Sequence, residues 1–233
     1  MCAATLIIIF RLSFQYIQLK LLPELGAYDQ LPWYKRFMLP FLGVIGIYLV
    51  ASITGFAHYR LGIPFVIHRI KNNFGLMPLR STINQFFGGM FALASGFFVG
   101  REGPSVHLGA AGTSFVGDGL KLPYNCIRIL AGCGIAAGIS ASFNTPFAAV
   151  IFVMEVVMRN YRIHIFIPIM LSAAIGSVMS RLVFGEGTAL LFLSFADLDK
   201  VIYVYLVLFG MGLGALAAGF NSQLMNVMQH FQR

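Results

Sequence analysis

Charge is what this sequence has least of. Only 10% of its 233 residues are Asp, Glu, Lys or Arg, whereas a soluble domain carries about 25%. Apolar residues make up 58% and the mean hydropathy is +0.82, which excludes a disordered chain and an ordinary water-soluble enzyme. The three cysteines form no regular spacing, so neither a disulfide framework nor a metal site is expected. The composition predicts an integral membrane protein.

Acidic residues are especially scarce, with 8 Asp and Glu against 16 Lys and Arg, a formal net charge of +8. Nucleic-acid-binding proteins share such an excess but carry it on a wettable surface, so we expect no nucleic-acid partner here. The interval between Asp29 and Glu102 contains no acid, and its basic residues are Lys35, Arg36, Arg60, Arg69, Lys71, Arg80 and Arg101. This interval fits ordinary positive cytoplasmic loops or an electropositive approach for an anion.

Long uncharged runs define the membrane segments. A spanning helix needs about 20 apolar residues, and we predict a first helix over 2–22 and spans over 37–59, 81–100, 129–154, 163–180 and 201–229. The apolar pieces 61–67 and 103–117 are too short to cross a bilayer straight. They must stop part-way or be covered by neighbouring helices. We therefore predict an all-α, multi-pass protein of the cell membrane (inner or plasma), with tilted and broken helices.

The segment Gly100-Arg101-Glu102-Gly103-Pro104 carries the strongest functional signal. Proline is favoured in the first turn of a helix, so we predict a helix over 104–116. A helix N-terminus carries about half a positive charge and binds anions. At membrane depth it could hold a dehydrated anion, or the carboxylate of Glu102 in its place, which suits Glu102 to be a gate. The alternative is an interfacial loop in which Arg101 and Glu102 pair with water or with each other.

Two other segments have the pattern of a helix start. Leu61-Gly62-Ile63-Pro64 predicts a short helix running to about Asn72. Asn144-Thr145-Pro146 predicts another, with Asn144 as its N-cap. Broken helices whose N-termini point inward are a recurrent way to build ion sites near the middle of a membrane.

Two further polar positions have ordinary structural explanations. Glu155 and Arg159 are four residues apart, a spacing that predicts a helical salt bridge, although a charge at an inner mouth is the alternative. His107 follows Pro104 by three residues, and we interpret it as a packed histidine in preference to a proton relay.

Together these motifs resemble the CLC family of chloride channels and proton-coupled chloride transporters. The matching stretches are 100–106 with Gly109, then 134–138, 143–148 and 152–156, and Gly62-Ile63-Pro64. The resemblance covers nearly the whole chain. It implies a non-enzymatic, voltage-gated channel or antiporter for chloride or a similar small anion in the lipid bilayer, without a cofactor. It also implies subunits built as inverted repeats of two halves and joined as a homodimer.

The resemblance also implies roles for individual residues. Glu102 would be the gating glutamate on the outer side of the anion pathway. Two helix N-termini and their backbone N–H groups would bind the anion, at Gly62, Ile63, Pro64, Arg101, Glu102 and Gly103.

Three departures from the family pattern bear on function. Leu61 stands at the usual position of a serine anion ligand, which leaves only backbone N–H groups there and leaves anion preference open. Val156 replaces the inner proton-carrying glutamate of the coupled transporters, which favours a channel-like or uncoupled pathway. The motifs of the second half are missing, so we expect residues 1–233 to form a single transmembrane domain, the first half of the inverted repeat, with a complementary C-terminal half as partner.

Three functions follow from these observations. The first is anion transport through a channel-like or uncoupled pathway gated by Glu102. The second is proton-coupled anion antiport with an unusual inner proton path. The third is a non-conducting half-subunit or truncated fragment that needs a partner half.

Overall fold

The computed structural model describes residues 1–23, 26–55, 61–159, 161–185 and 200–231. No β-strand occurs among these residues, which form helices joined by short turns. The chain divides into two units, Met1–Gly187 and Thr188–Arg233. Arg60 and residues 56–59, which end one of the expected spans, lie outside the described residues.

The helices are numbered in chain order. The first unit contains α1 (Cys2–Leu21), α2 (Trp33–Thr54), α3 (Ile63–Asn72), α4 (Leu79–Ala94), α5 (Glu102–Gly119), α6 (Tyr124–Phe143), α7 (Pro146–Phe152) and α8 (Ile163–Phe184). A 3₁₀ turn precedes α2 at Tyr28–Gln30, and a π-helical turn, Val153–Met158, follows α7. The second unit contains α9 (Lys200–Phe231).

Five of the described helices are long and apolar enough to cross a membrane: α1, α2, α6, α8 and the segment Tyr205–Val227 of α9. This confirms an all-α, multi-pass membrane protein. Two predicted spans do not match single helices of the structure. The span 81–100 is cut short because α4 ends at Ala94, before Gly96, whose φ of +77° suits glycine. The span 129–154 is broken between α6 and α7.

Asn144 causes the break between α6 and α7. It adopts a left-handed conformation with a φ of +55° and is the C-cap of α6, whereas Thr145 is the N-cap of α7. The prediction of Asn144 as an N-cap was therefore wrong. Its Oδ1 accepts hydrogen bonds from Ser177 Oγ at 2.6 Å and Arg181 Nε at 3.0 Å, both on α8. The side chain thus serves tertiary packing, and Pro146 occupies the first turn of the next helix.

Helices α5 and α6 cross with their backbones in close contact, beside an apolar core that also includes side chains from α3, α7 and α8. A β-carbon on Gly109 would overlap the carbonyl oxygen of Gly134, and one on Gly134 would overlap that of Gly109. A hydrogen bond between Ser105 Oγ and Ser142 Oγ places the start of α5 beside the end of α6. Two small residues at the crossing therefore allow the backbones to touch, as in other membrane helix pairs.

Candidate anion site at two helix N-termini

Helices α3 and α5 begin next to each other. Gly62 is the N-cap of α3 and Arg101 is the N-cap of α5. A β-carbon on Gly62 would lie 3.8 Å from the Cα of Gly103, and the reverse distance is also 3.8 Å. Gly62 has a φ of +81°, a backbone conformation that side chains disfavour. The positive ends of two helix dipoles therefore meet at one point, which attracts an anion without a full positive charge.

Helix α5 begins at Glu102, two residues before the predicted start, and continues to Gly119. Pro104 is still within the first turn, where its missing N–H costs no hydrogen bond. The carbonyl oxygen of Arg101 accepts hydrogen bonds from Ser105 N at 3.0 Å and Ser105 Oγ at 2.6 Å. These bonds close the first turn and leave the N–H groups of Glu102 and Gly103 without carbonyl partners in their own helix.

The Glu102 side chain is exposed and bends back over Gly100. A β-carbon on Gly100 would overlap the Glu102 carboxylate. Any other residue at position 100 would therefore force the carboxylate to move. Arg101, next to it, is half-buried, and its guanidinium lies 5.1 Å from the centroid of the Phe143 ring. Arg101 thus has an aromatic contact, and the nearby Glu102 carboxylate also interacts favourably with its charge, without an ion pair between them.

Three arginines lie around this end of α5. Arg11 on α1 contacts the Phe184 ring at 3.8 Å from its centroid and repels Arg101 electrostatically. Arg181 donates to Asn144, the residue after Phe143 in the chain. Within the described part of the chain, none of the three forms an ion pair with a carboxylate. They give the surroundings of Glu102 a positive potential.

The two positions that depart from the family pattern carry apolar side chains. Leu61 is half-buried just before Gly62 and supplies no hydrogen-bond donor. Val156 is exposed within the π-helical turn. The predicted salt bridge between Glu155 and Arg159 does not form, because the turn is π-helical and Arg159 has a left-handed φ of +50°.

His107 lies between α5 and α3. It is fully buried and stacks on Phe65 with ring centroids 5.3 Å apart. Neither ring nitrogen has a hydrogen-bond partner in the described structure. The ring therefore packs as a core aromatic residue, in agreement with the packed histidine expected from the sequence.

Gln85 on α4 is the residue near the site that sequence reasoning missed. It is 9% exposed, its Nε2 lies 3.9 Å from where a β-carbon on Gly103 would be, and its Oε1 has no partner. The sequence feature that could have indicated Gln85 is a glutamine within the uncharged run 81–100, since a polar group buried in a membrane protein needs a hydrogen bond.

Comparisons with known proteins agree with the motifs. The model of the family described as "Voltage gated chloride channel" matches residues 42–233. A "putative chloride channel protein ClcB-like" of Ralstonia nicotianae is 30% identical over 81% of this chain and 44% of its own length. An "H(+)/Cl(-) exchange transporter ClcA" of Vibrio cholerae is 32% identical over 70% of this chain and 35% of its own length.

A third relative matches almost the whole sequence. It is an "H(+)/Cl(-) exchange transporter ClcA" of Salmonella paratyphi B, 29% identical over 94% of this chain and 47% of its own length. The chain therefore spans less than half the length of each of these three relatives.

Proposed function

The chain belongs to the voltage-gated chloride channel family, and from this premise we propose that it forms part of a transmembrane pathway for chloride or a similar small anion. The observation that supports this proposal most is the meeting of two helix starts at Gly62 and Gly103. Two N-termini directed at one point supply several N–H donors to a small anion while exposing no fixed positive charge to it. Because these donors carry only partial charges, they can hold an ion and still release it, as conduction requires.

The donors of this site follow from the positions of the prolines. Pro64 and Pro104 have no N–H and set the backbone of the first turns. The remaining free donors nearest the junction are the N–H groups of Ile63 on α3 and of Glu102 and Gly103 on α5. Arg101 contributes its carbonyl oxygen to the cap and its charge to the surroundings.

Glu102 acts as the gate in this proposal. Its carboxylate belongs to the first turn of α5 and can compete with an anion for the same N–H donors. Protonation removes the negative charge, and with it the attraction to the helix N-terminus. The site is then free for a transported anion, and the nearby arginines raise the local anion concentration.

Val156 favours a channel-like or uncoupled pathway over proton-coupled antiport. Valine cannot carry a proton, and its side chain is exposed in the turn that follows α7. The relatives named above include both a putative channel and proton/chloride exchangers, so antiport is the second candidate. It would need an inner proton carrier other than residue 156.

We further propose that the face around Glu102 and Pro64 is covered by a complementary half. Both residues are exposed on the first unit, and polar backbone at membrane depth is stable only where protein or a water-filled cavity covers it. Residues 1–233 would then form one transmembrane domain, the first half of the inverted repeat. Two complete subunits would associate as a homodimer.

Chloride efflux from liposomes tests these alternatives. The chain is reconstituted alone or with a separately expressed second half from a relative, and efflux is measured with and without a proton gradient. We expect efflux that a proton gradient does not drive, and an increase when the second half is present. Proton uptake driven by a chloride gradient would establish antiport instead. Absence of efflux in both preparations would reject a transport function.

A further inference from the structure

One buried side chain at the junction of the two helix starts has no partner in the described structure. Gln85 is 9% exposed and its Oε1 is an unpaired buried atom. Its Nε2 lies 3.9 Å from the position of a β-carbon on Gly103, and it makes no hydrogen bond within the described residues. We propose that Gln85 is a side-chain ligand of the anion held between Gly62 and Gly103, a role that rests on the function proposed above.

The physical reason for this assignment is the free-energy cost of burying an amide without hydrogen bonds. Buried polar groups in proteins are nearly always hydrogen-bonded, and an unpaired one loses the bonds it made to water. An anion at the junction supplies an acceptor for Nε2 at the point where the helix N–H groups also converge. Oε1 is an acceptor, so in this proposal its hydrogen bond would come from a water molecule that the anion retains from its hydration shell.

The neighbouring residue on α4, Asn84, has a buried amide whose hydrogen bonds are formed within the protein. Asn84 is 6% exposed, and its Nδ2 donates to Thr54 Oγ1 at 2.6 Å and to the carbonyl oxygen of Arg80 at 2.9 Å. Asn84 therefore joins α4 to α2 and has a structural role. Gln85, one position later, has its Nε2 near Gly103 at the start of α5, with its hydrogen-bonding capacity unused.

The identity of residue 61 increases the importance of this amide. Leu61 has no hydroxyl or amide to offer at the start of α3, so the side-chain donor to the anion comes from α4. A neutral amide attracts a small anion less strongly than an ammonium group would, because it carries no net charge. Gln85 thus sets the affinity of the site for chloride while still permitting release.

Chloride binding to the purified full chain, measured by calorimetry in detergent, tests this assignment without requiring transport. Gln85→Met keeps the length of the side chain and removes its amide, and we expect chloride affinity to fall about ten-fold. Gln85→Glu keeps the size and polarity but replaces the donor with a negative charge, and should weaken binding further at neutral pH. Asn84→Leu is the matched control, which should lower the unfolding temperature and leave chloride affinity close to that of wild type.

Each outcome decides the assignment. Wild-type affinity in both Gln85 variants, or no measurable chloride binding in the wild type, would overturn it. Parallel loss of affinity and stability in the Gln85 and Asn84 variants would assign Gln85 a structural role. Chloride binding that depends on Gln85 in a chain that does not conduct would support the ligand and reject transport. Conduction by a chain whose chloride binding does not depend on Gln85 would support transport and reject Gln85 as a ligand.

Discussion

Gly100 allows the Glu102 carboxylate to lie where it does, because a β-carbon at position 100 would occupy the same space. Gly62 is important at the other helix start because its φ of +81° strains any residue that carries a side chain, and a β-carbon there would lie in van der Waals contact with Gly103. At the scale of single residues the candidate site therefore depends on the absence of side chains around one carboxylate.

Replacing Glu102 by glutamine should remove the pH dependence of chloride efflux. Wild-type efflux should rise several-fold on acidification as the carboxylate is protonated and leaves the helix N-terminus, whereas Glu102→Gln is neutral at every pH and should stay flat. Efflux from liposomes over a pH series measures this. Asp118→Asn is the control, because it removes an exposed carboxylate at the opposite end of α5, and it should keep the wild-type pH profile. An unchanged pH profile in Glu102→Gln would remove the assignment of the gate.

At the scale of elements, the contact between α5 and α6 holds the start of α5 in place. Their backbones touch at Gly109 and Gly134, and the bond between Ser105 and Ser142 connects the first turn of α5 to the last turn of α6. Helix α8 packs on the opposite side through Gly176, where a β-carbon would lie 2.5 Å from the carbonyl oxygen of Ala137. Close packing of these helices therefore fixes the position of the start of α5, where the candidate anion site lies.

Gly109→Ala should destabilise the protein by about 1–3 kcal/mol, because the added methyl group must push α6 away. Thermal unfolding in detergent measures the loss. Gly119→Ala at the other end of α5 is the control, since nothing lies within 4 Å of a β-carbon there, and it should be neutral or slightly stabilising. Equal unfolding temperatures for the two variants would show that α5 and α6 do not touch at Gly109.

The whole molecule carries its charge unevenly, with a formal net charge of +8. Arg11, Arg101 and Arg181 come from three different parts of the chain and lie around the start of α5. They contact aromatic rings and an amide, and in the described part of the chain no carboxylate forms an ion pair with them. Charges arranged in this way act on an approaching anion over a distance comparable with the Debye length, which is about 8 Å at physiological salt.

Arg11→Gln should lower chloride efflux by about two- to ten-fold at low ionic strength, and the difference should shrink as an impermeant salt is added. Efflux rates at a series of salt concentrations measure this effect. Lys121→Gln is the control, because Lys121 follows the opposite end of α5 and is exposed. A loss that is the same at all salt concentrations would indicate damage to packing against Phe184 and contradict an electrostatic role.

Much of this architecture could be predicted from the sequence. Local rules place the helix starts, because Pro64, Pro104 and Pro146 each lie in a first turn. The predicted helix beginning near Pro64 and ending at Asn72 is confirmed. The prediction placed the start of α5 two residues too late, because Arg101 and Glu102 can precede or join a helix equally well by local preference.

The sequence by itself determined the class of protein, the positions of most of the long apolar helices and the proline-led helix starts, since these depend on apolar run length and on a missing N–H group. Only the tertiary structure decided that Gly62 lies against Gly103, that the Asn144 side chain bonds to α8 where α6 ends, and that Gln85 lies near Gly103. These features join residues distant in the chain. They depend on how closely glycines let helices approach, and no local pattern specifies that.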